Sequence, residues 1–380
     1  MKSITALFQV RDVSDGAINT PFRSKGRHTT MDAPQSPRWR RRPEPSTWGD
    51  FGPDDALGRM NLLTPAKVAE GLAEVRDGRA FALGLPLTLP GGSSLNANRL
   101  PPIHRPNLRG SKPNVNCVFD TPGATDVMND DLVVLHTQYS TQWDALVHVG
   151  SMFDADGDGV PEPVYYNGFR AGVEVLGPSD AADCGIPGPG GATTADLGPL
   201  GIGTLAGRPV QGRAVMVDLA HHFGTDARVV GFAEIRAVLE ADGIEVRPGD
   251  IVTIHTGFAQ RVLEMGGAPD AGVLHNYGAV LNGRDQELLD WITNSGIAAI
   301  AADNYAVELY PALPAPGPAS ILPLHEHCLF KLGVQLGELW FLTELAAALR
   351  AAGRTAFLLT AQPLNLPGAS GSPLNPIATI

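Results

Sequence analysis

Between Thr137 and His148 the chain reads Thr137-Gln138-Tyr139-Ser140-Thr141-Gln142-Trp143-Asp144-Ala145-Leu146-Val147-His148, its densest polar cluster inside an otherwise apolar context. On an extended strand Gln138, Gln142 and Asp144 share a face, because even separations return to the same side. His148 follows Asp144 by four residues and reaches the same pocket whether the chain stays extended or turns. Three oxygen-bearing groups and an imidazole on one face are costly to bury unless they bind something. The plain alternative is an edge strand that turns this face to solvent.

These residues need a scaffold, and the pattern supplies one. Apolar spacing predicts a helix over Pro65–Arg79, then a strand over Phe81–Leu89 that ends at Pro90-Gly91-Gly92. A second strand is expected over Leu132–Gln142, with Trp143–His148 at its end. Further strands are read at Ala214–Leu219, Asp250–His255 and Ile297–Ala302, and helices at Ala233–Asp242, Asp285–Asn294 and Trp340–Ala352. Gly185–Gly207 reads as a long loop, and the Pro/Gly/Ser-rich tail from Gln362 as loosely attached. Strands and helices intermix without a break in composition, so one α/β domain over residues 46–380 is the simplest account. Residues 1–45 are polar and Arg-rich without periodicity, and read as a flexible N-terminal arm. Met31 is an alternative natural start.

Composition narrows the class of function. The 380 residues are 43% hydrophobic, which supports a sizeable core and argues against global disorder. A formal net charge of −12 argues against nucleic acid as a partner, since phosphate binding needs a basic face. Cys117, Cys184 and Cys328 have no paired spacing, which disfavours a disulfide framework or a cysteine zinc site. No apolar run approaches the ~20 residues of a membrane span, so no membrane partner is expected. Arg38, Arg40, Arg41 and Arg42 are followed by Pro43-Glu44-Pro45-Ser46 rather than an apolar stretch, so an export signal is rejected and a cytoplasmic location is the default.

The segment Gln138–His148 resembles the metal-strand motif of the cyclase superfamily, which includes kynurenine formamidase and isatin hydrolase: His-x-Gly-Thr-His-x-Asp-x-Pro-x-His. Thr141, Asp144 and His148 match, while Gln138 and Gln142 stand where the formamidase branch has metal-ligating histidines. The likeness continues through Trp48–Gly58 with Asn61–Pro65, Tyr165-Tyr166-Asn167-Gly168, Pro248-Gly249-Asp250 with Thr256-Gly257, and Ala302-Asp303-Asn304 with Glu308. It ends at Pro323-Leu324-His325 with Gly337-Glu338. The resemblance implies a swivelling β/β/α fold, a barrel-like mixed sheet flanked by helices with the site at one end, and assembly into a homodimer or homotetramer. The Arg-rich arm offers a grip on a neighbour.

It also implies one divalent ion, Mn²⁺ or Zn²⁺, held by Asp144, His325 and Glu338 with Gln142 and Gln138, and His148 as the proton shuttle. His327 is the alternative to His325. Amide oxygen is a harder and weaker donor than imidazole, which shifts preference from zinc toward Mn²⁺ or Mg²⁺. In the metal-free alternative, Gln138 and Gln142 hydrogen-bond substrate instead. Trp143, Tyr165 and Tyr166 offer rings for stacking a planar group, with packing as the alternative role. Asn167 and His222 complete the expected substrate contacts; a solvated loop pair is the alternative for His221-His222. His136, His255 and the loop His275-Asn276-Tyr277 are weaker candidates. Asp154-Ala155-Asp156-Gly157-Asp158-Gly159 has calcium-loop spacing, but Tyr165 stands where the bidentate Glu belongs, so a Gly-rich turn is expected.

The resulting expectation is a metal-dependent hydrolase that opens a C–N or C–O bond of a small substrate, with a planar ring among the options and His148 as acid/base. A cyclase, dehydratase or isomerase sharing the same residues is the second reading. A small-molecule binder without metal is the third.

Overall fold

The computed structural model describes residues 38–186, 188 and 191–380. The part of the expected arm before Arg38 lies outside the described residues. From Arg38 to Pro45 the chain is anchored rather than arm-like. Arg38 pairs with Asp54 and Glu174, the Arg40 amide donates to the Ala155 carbonyl at 2.7 Å, and Trp39 packs edge-on against Trp48. Within the described residues, Arg38–Arg41 thus pack against the domain expected to begin at residue 46.

Nine strands form one curled, half-barrel sheet: β1 Ala80–Ala82, β2 Gln142–Asp144, β3 Gln211–Asp218, β4 Ile251–His255, β5 Ala299–Ala302, β6 Gln335–Glu338, β7 Ala356–Thr360, β8 Gly371–Pro373 and β9 Ile377–Thr379. Their order is β1-β9-β7-β3-β4-β5-β6-β2-β8. The four central strands, β3 to β6, are parallel and adjacent in chain order. The flanking pairs are antiparallel. The central strands are buried along both faces, with apolar runs at Ala214–Val217, Ile251–Val252 and Ala299–Ala302, as suits parallel strands covered by helices.

Helices follow the expected amphipathic stretches. α1 (Pro65–Ala73) starts at Pro65, with the Thr64 hydroxyl accepting from the Lys67 amide. α2 (Phe232–Ala241) and α3 (Phe258–Glu264) flank β4 in sequence. α4 (Gln286–Ser295) is capped by Asp285 and stopped by Gly296 in the left-handed conformation. The last helix, α5 (Thr343–Ala351), begins after the expected Trp340, because Trp340 bridges back to Gly84.

Three expectations fail for local reasons. Phe81–Leu89 is a strand only through Ala82, followed by a single bridge from Gly84 to Trp340; beyond it Pro86 and Pro90 remove ladder donors, and Leu85 donates instead to the Thr141 hydroxyl. Leu132–Gln142 is two elements: Asp131–Val134 pairs with Ile103–Pro106 in an exposed ribbon, the chain turns through His136–Tyr139, and β2 starts at Gln142. The tail is firmly held, since β8 and β9 belong to the main sheet and Ile380 is buried. The long Gly-rich loop also carries a short helix, Ile202–Ala206, whose Ile202 and Leu205 are in the core.

Candidate metal centre

All four parallel strands end on the same edge, where Asp218, His255, Asp303 and Glu338 gather. That is the edge at which open α/β sheets usually bind ligands. β2 runs antiparallel beside β6 in the register Gln142↔Glu338, which places its side chains against the carboxyl end of β6. Alternation then sends Gln142 and Asp144 to one face and Trp143 to the other.

His325 arrives from a different element, the turn Pro323–His325 that runs on as a π-helical segment, Glu326–Leu332. Its Nε2 lies 3.4 Å from Glu338 Oε1 and 3.8 Å from Asp144 Oδ2. Donor atoms of Asp144, His325 and Glu338 all fall within 4.8 Å of one another. Gln142 Nε2 donates to Glu338 Oε2 at 3.0 Å and lies 3.5 Å from Asp144 Oδ1, so its amide nitrogen faces the carboxylates, while Oε1 is buried without a partner. His148 stands at the margin, Nε2 3.8 Å from Asp144 Oδ1, with its side chain 21% exposed while the carboxylates are sealed.

Glu308 fixes His325. Its Oε1 accepts from the His325 amide at 2.9 Å and lies 2.8 Å from Nδ1, while Oε2 accepts from the Leu324 amide. A carboxylate on Nδ1 keeps the proton there and aims Nε2 at the centre, as second-layer partners of metal-bound histidines do. The placement needs unusual backbone: Ala306 and Val307 both have positive φ, as does Leu339 after Glu338. It also needs Gly283, where a Cβ would stand 2.1 Å from Glu308 Oε2. Arg99 closes the other side, Nη1 3.9 Å from Glu338 Oε2 and 2.9 Å from the Gln138 carbonyl, with its guanidinium over the Tyr305 ring.

The electrostatics call for positive charge. Burial raises the Asp144 carboxyl above its ordinary value, against the pull of His148, His325 and Arg99. Glu338 is held below its ordinary value, because the His325 hydrogen bond and the Arg99 charge outweigh burial. Burial lowers the His325 pKa, but Glu308 and Glu338 outweigh it and push it up to about 10. In the chain alone, an imidazolium supplies the charge that the carboxylates require.

The donor set fits a divalent cation. Asp144 Oδ2 and Gln142 Oε1 are buried acceptors with no hydrogen-bond partner among the described residues. One imidazole, two carboxylates and an amide oxygen are ligands suited to Mn²⁺ or Zn²⁺. His327 is excluded as the remote ligand: its Nε2 lies 2.9 Å from Thr293 Oγ1 and 3.0 Å from the Leu289 carbonyl, and burial lowers its pKa to about 4.

Other expected site residues are used for structure. Gln138 sits in the turn, not on β2, so the even-spacing argument does not reach it. Its amide binds Ser370 Oγ and Thr137 Oγ1, each at 2.8 Å. Trp143 is fully buried, packs on Trp340, and donates its indole N–H to the Ala361 carbonyl. The Tyr166 hydroxyl donates to Asp55, and Tyr165 lies against Gly150. Asn167 is sealed, with Nδ2 donating to the Gly52 and Asp55 carbonyls and Oδ1 accepting from the Gly49 amide. It pins the opening loop and leaves nothing for a ligand. His222 pairs with Asp242 and His255 with Asp218. The aspartate-rich turn is tied by its own amides and by Arg41, as a structural turn.

Sequence reasoning assigned no role to Arg99 or Tyr305, and noted Glu308 only as part of a block. Nothing local marks Arg99, which lies in the polar run Asn96-Ala97-Asn98-Arg99. Glu308 had a weak signal, a lone acid in the apolar stretch Ala306–Leu309.

The fold agrees with the comparisons. The family described as putative cyclase matches residues 96–309. A crystal structure described as a novel cyclase is 32% identical, covering 88% of this chain and 97% of that one, with a TM-score of 0.64. The chain belongs to the cyclase family. Isatin hydrolase A from Ralstonia solanacearum is 14% identical, covering 83% of this chain and 95% of that one, at a TM-score of 0.49. Isatin hydrolase A from Labrenzia aggregata, bound to benzyl benzoate, is also 14% identical, covering 79% and 93%, at 0.48. Likeness at that distance says nothing of substrate or mechanism. No curated protein sequence matches. Among the described residues, no helix is long and apolar enough to cross a membrane.

Proposed function

We propose that this chain is a metal-dependent hydrolase that opens a C–N or C–O bond of a small amide, lactam, ester or lactone. The observation that carries the reading is the orphaned acceptor Asp144 Oδ2, buried 3.8 Å from His325 Nε2, which itself lies 3.4 Å from Glu338 Oε1. Asp144, His325, Glu338 and Gln142 would hold a single divalent ion, Mn²⁺ or Zn²⁺. Such an ion lowers the pKa of a water molecule and polarises a carbonyl.

The chain's own groups do the rest. Glu308 holds the His325 ring so that Nε2 faces the centre. His148 is the one imidazole of the group with solvent access, and it takes a proton at Nε2 and returns it to the leaving atom. Arg99 keeps Glu338 ionised and has N–H groups free for a substrate oxygen. The sealed carboxylates exclude bulk water from one side, which strengthens each of these interactions.

Metal analysis of protein purified without chelators tests the reading. One stoichiometric divalent ion is expected, lost in Asp144→Ala and in Glu338→Gln. Retention of the full ion content in both variants would sink the proposal. Uptake of ¹⁸O from labelled water into the product is expected for hydrolysis; its absence would replace hydrolysis with ring closure or isomerisation.

A further inference from the structure

One stretch of the chain carries large apolar side chains out into solvent. From Ile103 to Val134 the backbone runs out and returns as a two-stranded ribbon in which Asn114 is the only buried residue. Its ladders are short: Ile103–Pro106 against Asp131–Val134, Leu108–Arg109 against Lys112–Pro113, and Cys117–Val118 against Val127–Met128. We propose that this ribbon is a self-association surface, which packs on the same ribbon of a second copy of this chain about a two-fold axis.

Stability asks for a cover. A two-stranded ribbon without a third strand or a packed face is marginal in water. Both edges of this one are unpaired among the described residues. Leu108 is 75% exposed, Val118 60% and Val127 58%, with Val115, Leu132 and Val133 also at the surface. Large apolar side chains gathered on one exposed element mark a contact with another protein, and their burial is the main drive for association.

Charge selects the occupant. The outgoing half, residues 103–118, carries Arg105, Arg109 and Lys112, while the returning half, residues 119–134, carries Asp120, Asp126, Asp130 and Asp131. Within the ribbon, Asp131 meets His104 and Lys112 meets Asp120, both as exposed pairs worth little. Arg105, Arg109 and Asp126 meet no opposite charge among the described residues. A membrane surface or a nucleic acid would satisfy only the basic half. A second copy satisfies both halves at once, because a two-fold axis parallel to the ribbon lays each half over its opposite.

The Arg-rich segment is not free for this role where it is described, since Arg38, Arg41 and Arg42 pair with Asp54, Asp154 and Asp50 of their own chain. The ribbon is strung between Arg99 and Gln138, whose guanidinium and carbonyl are joined at 2.9 Å. Its base is thus pinned at the rim of the metal centre.

Sedimentation of the full chain at micromolar concentration tests this. A dimer, or a tetramer built from it, is expected. Val118→Asp with Val127→Asp places two charges per copy in the contact and is expected to weaken association on the order of 10²-fold or more, so that the mass falls by half. Val173→Asp, at a residue 64% exposed elsewhere on the surface, should leave the mass unchanged. Hydrogen exchange on the parent gives a reading without substitution: amides of residues 103–134 should be protected at high protein concentration and lose that protection on dilution. A parent that sediments as a monomer overturns the proposal. So does an oligomer whose mass survives the double variant, or whose ribbon exchanges at one rate whatever the concentration.

Discussion

Asp144 and Asp250 are both completely buried, and the fold treats them in opposite ways. Asp250 precedes β4, and its carboxylate meets Lys67 Nζ at 3.0 Å, the Arg213 guanidinium and the Arg247 amide at 2.8 Å. Each oxygen there has a partner, and Arg213 passes the tie on to Glu74. Asp144 has the Gln142 amide at 3.5 Å and two imidazoles at 3.8 Å, while its Oδ2 has no donor. A buried carboxylate oxygen without a donor costs a few kcal/mol, so it persists where something outside the chain completes it. One sheet shows both uses: the amino-terminal edge of its parallel strands is locked by ion pairs, and the carboxyl edge is left open to a ligand.

Substitution should separate the two carboxylates sharply. Asp250→Ala leaves Lys67 and Arg213 buried without an anion and is expected to cost about 3–5 kcal/mol, read as a lowered urea midpoint. Asp144→Ala removes a charge that the metal-free fold must tolerate, so the metal-free protein should be as stable as the parent or more so. The same variant should lose its ion and on the order of 10²-fold or more in hydrolysis. Equal destabilisation by both variants would erase the distinction.

His148 marks the border between the sealed part of the centre and solvent. His148→Ala should keep the ion and lose roughly 10²–10⁴ in rate, the range for a lost acid–base group. Loss of the ion instead would make it a ligand. Glu308→Gln should come next, weakening ion affinity about 10–100-fold with little change in fold, as read by metal-buffered titration. An unchanged affinity would leave Glu308 with a purely structural role.

The legible part of this centre was the part that is local in sequence. Gln142, Asp144 and His148 stand out because polar groups crowd an apolar stretch, and their geometry follows from strand alternation. The same alternation misplaced Gln138, because it assumes an unbroken strand and nothing in His136–Tyr139 announces a turn. Trp143, expected as a stacking ring, is where alternation reads correctly: a residue between Gln142 and Asp144 on a strand points to the opposite face, here into the core. His325 and Glu338 came only from family resemblance, since nothing in their neighbourhoods marks them. Arg99 is brought to Glu338 by tertiary folding over more than two hundred residues. The sheet's centre was legible because β3, β4 and β5 are continuous apolar runs. Its edges were not, since β1, β2, β8 and β9 are three residues each and hold through pairing rather than propensity.

Asp218 and His255 form a third case, at the open edge yet paired, and they place the smallest expected effect on a pH axis. Burial opposes the Asp218 charge, but the His255 hydrogen bond and Arg350 outweigh it and hold the carboxyl below its ordinary 3.8. Burial also opposes the His255 charge, but Asp218 and Asp303 raise it above its ordinary 6.5. The Asp218 contribution is present above 3.8 and is lost as pH falls through its lowered folded value. The His255 contribution is whole below 6.5 and is lost as pH rises through its raised folded value. Both act together between 3.8 and 6.5. Asp218→Asn should therefore lower stability by roughly 1–2 kcal/mol at about pH 5, with the gap from the parent narrowing toward more acid and more alkaline pH. Urea melts at stepped pH measure this directly. A gap constant across the range would mean that Asp218 acts through its neutral hydrogen bonds, and its cluster would then resemble neither Asp250 nor Asp144.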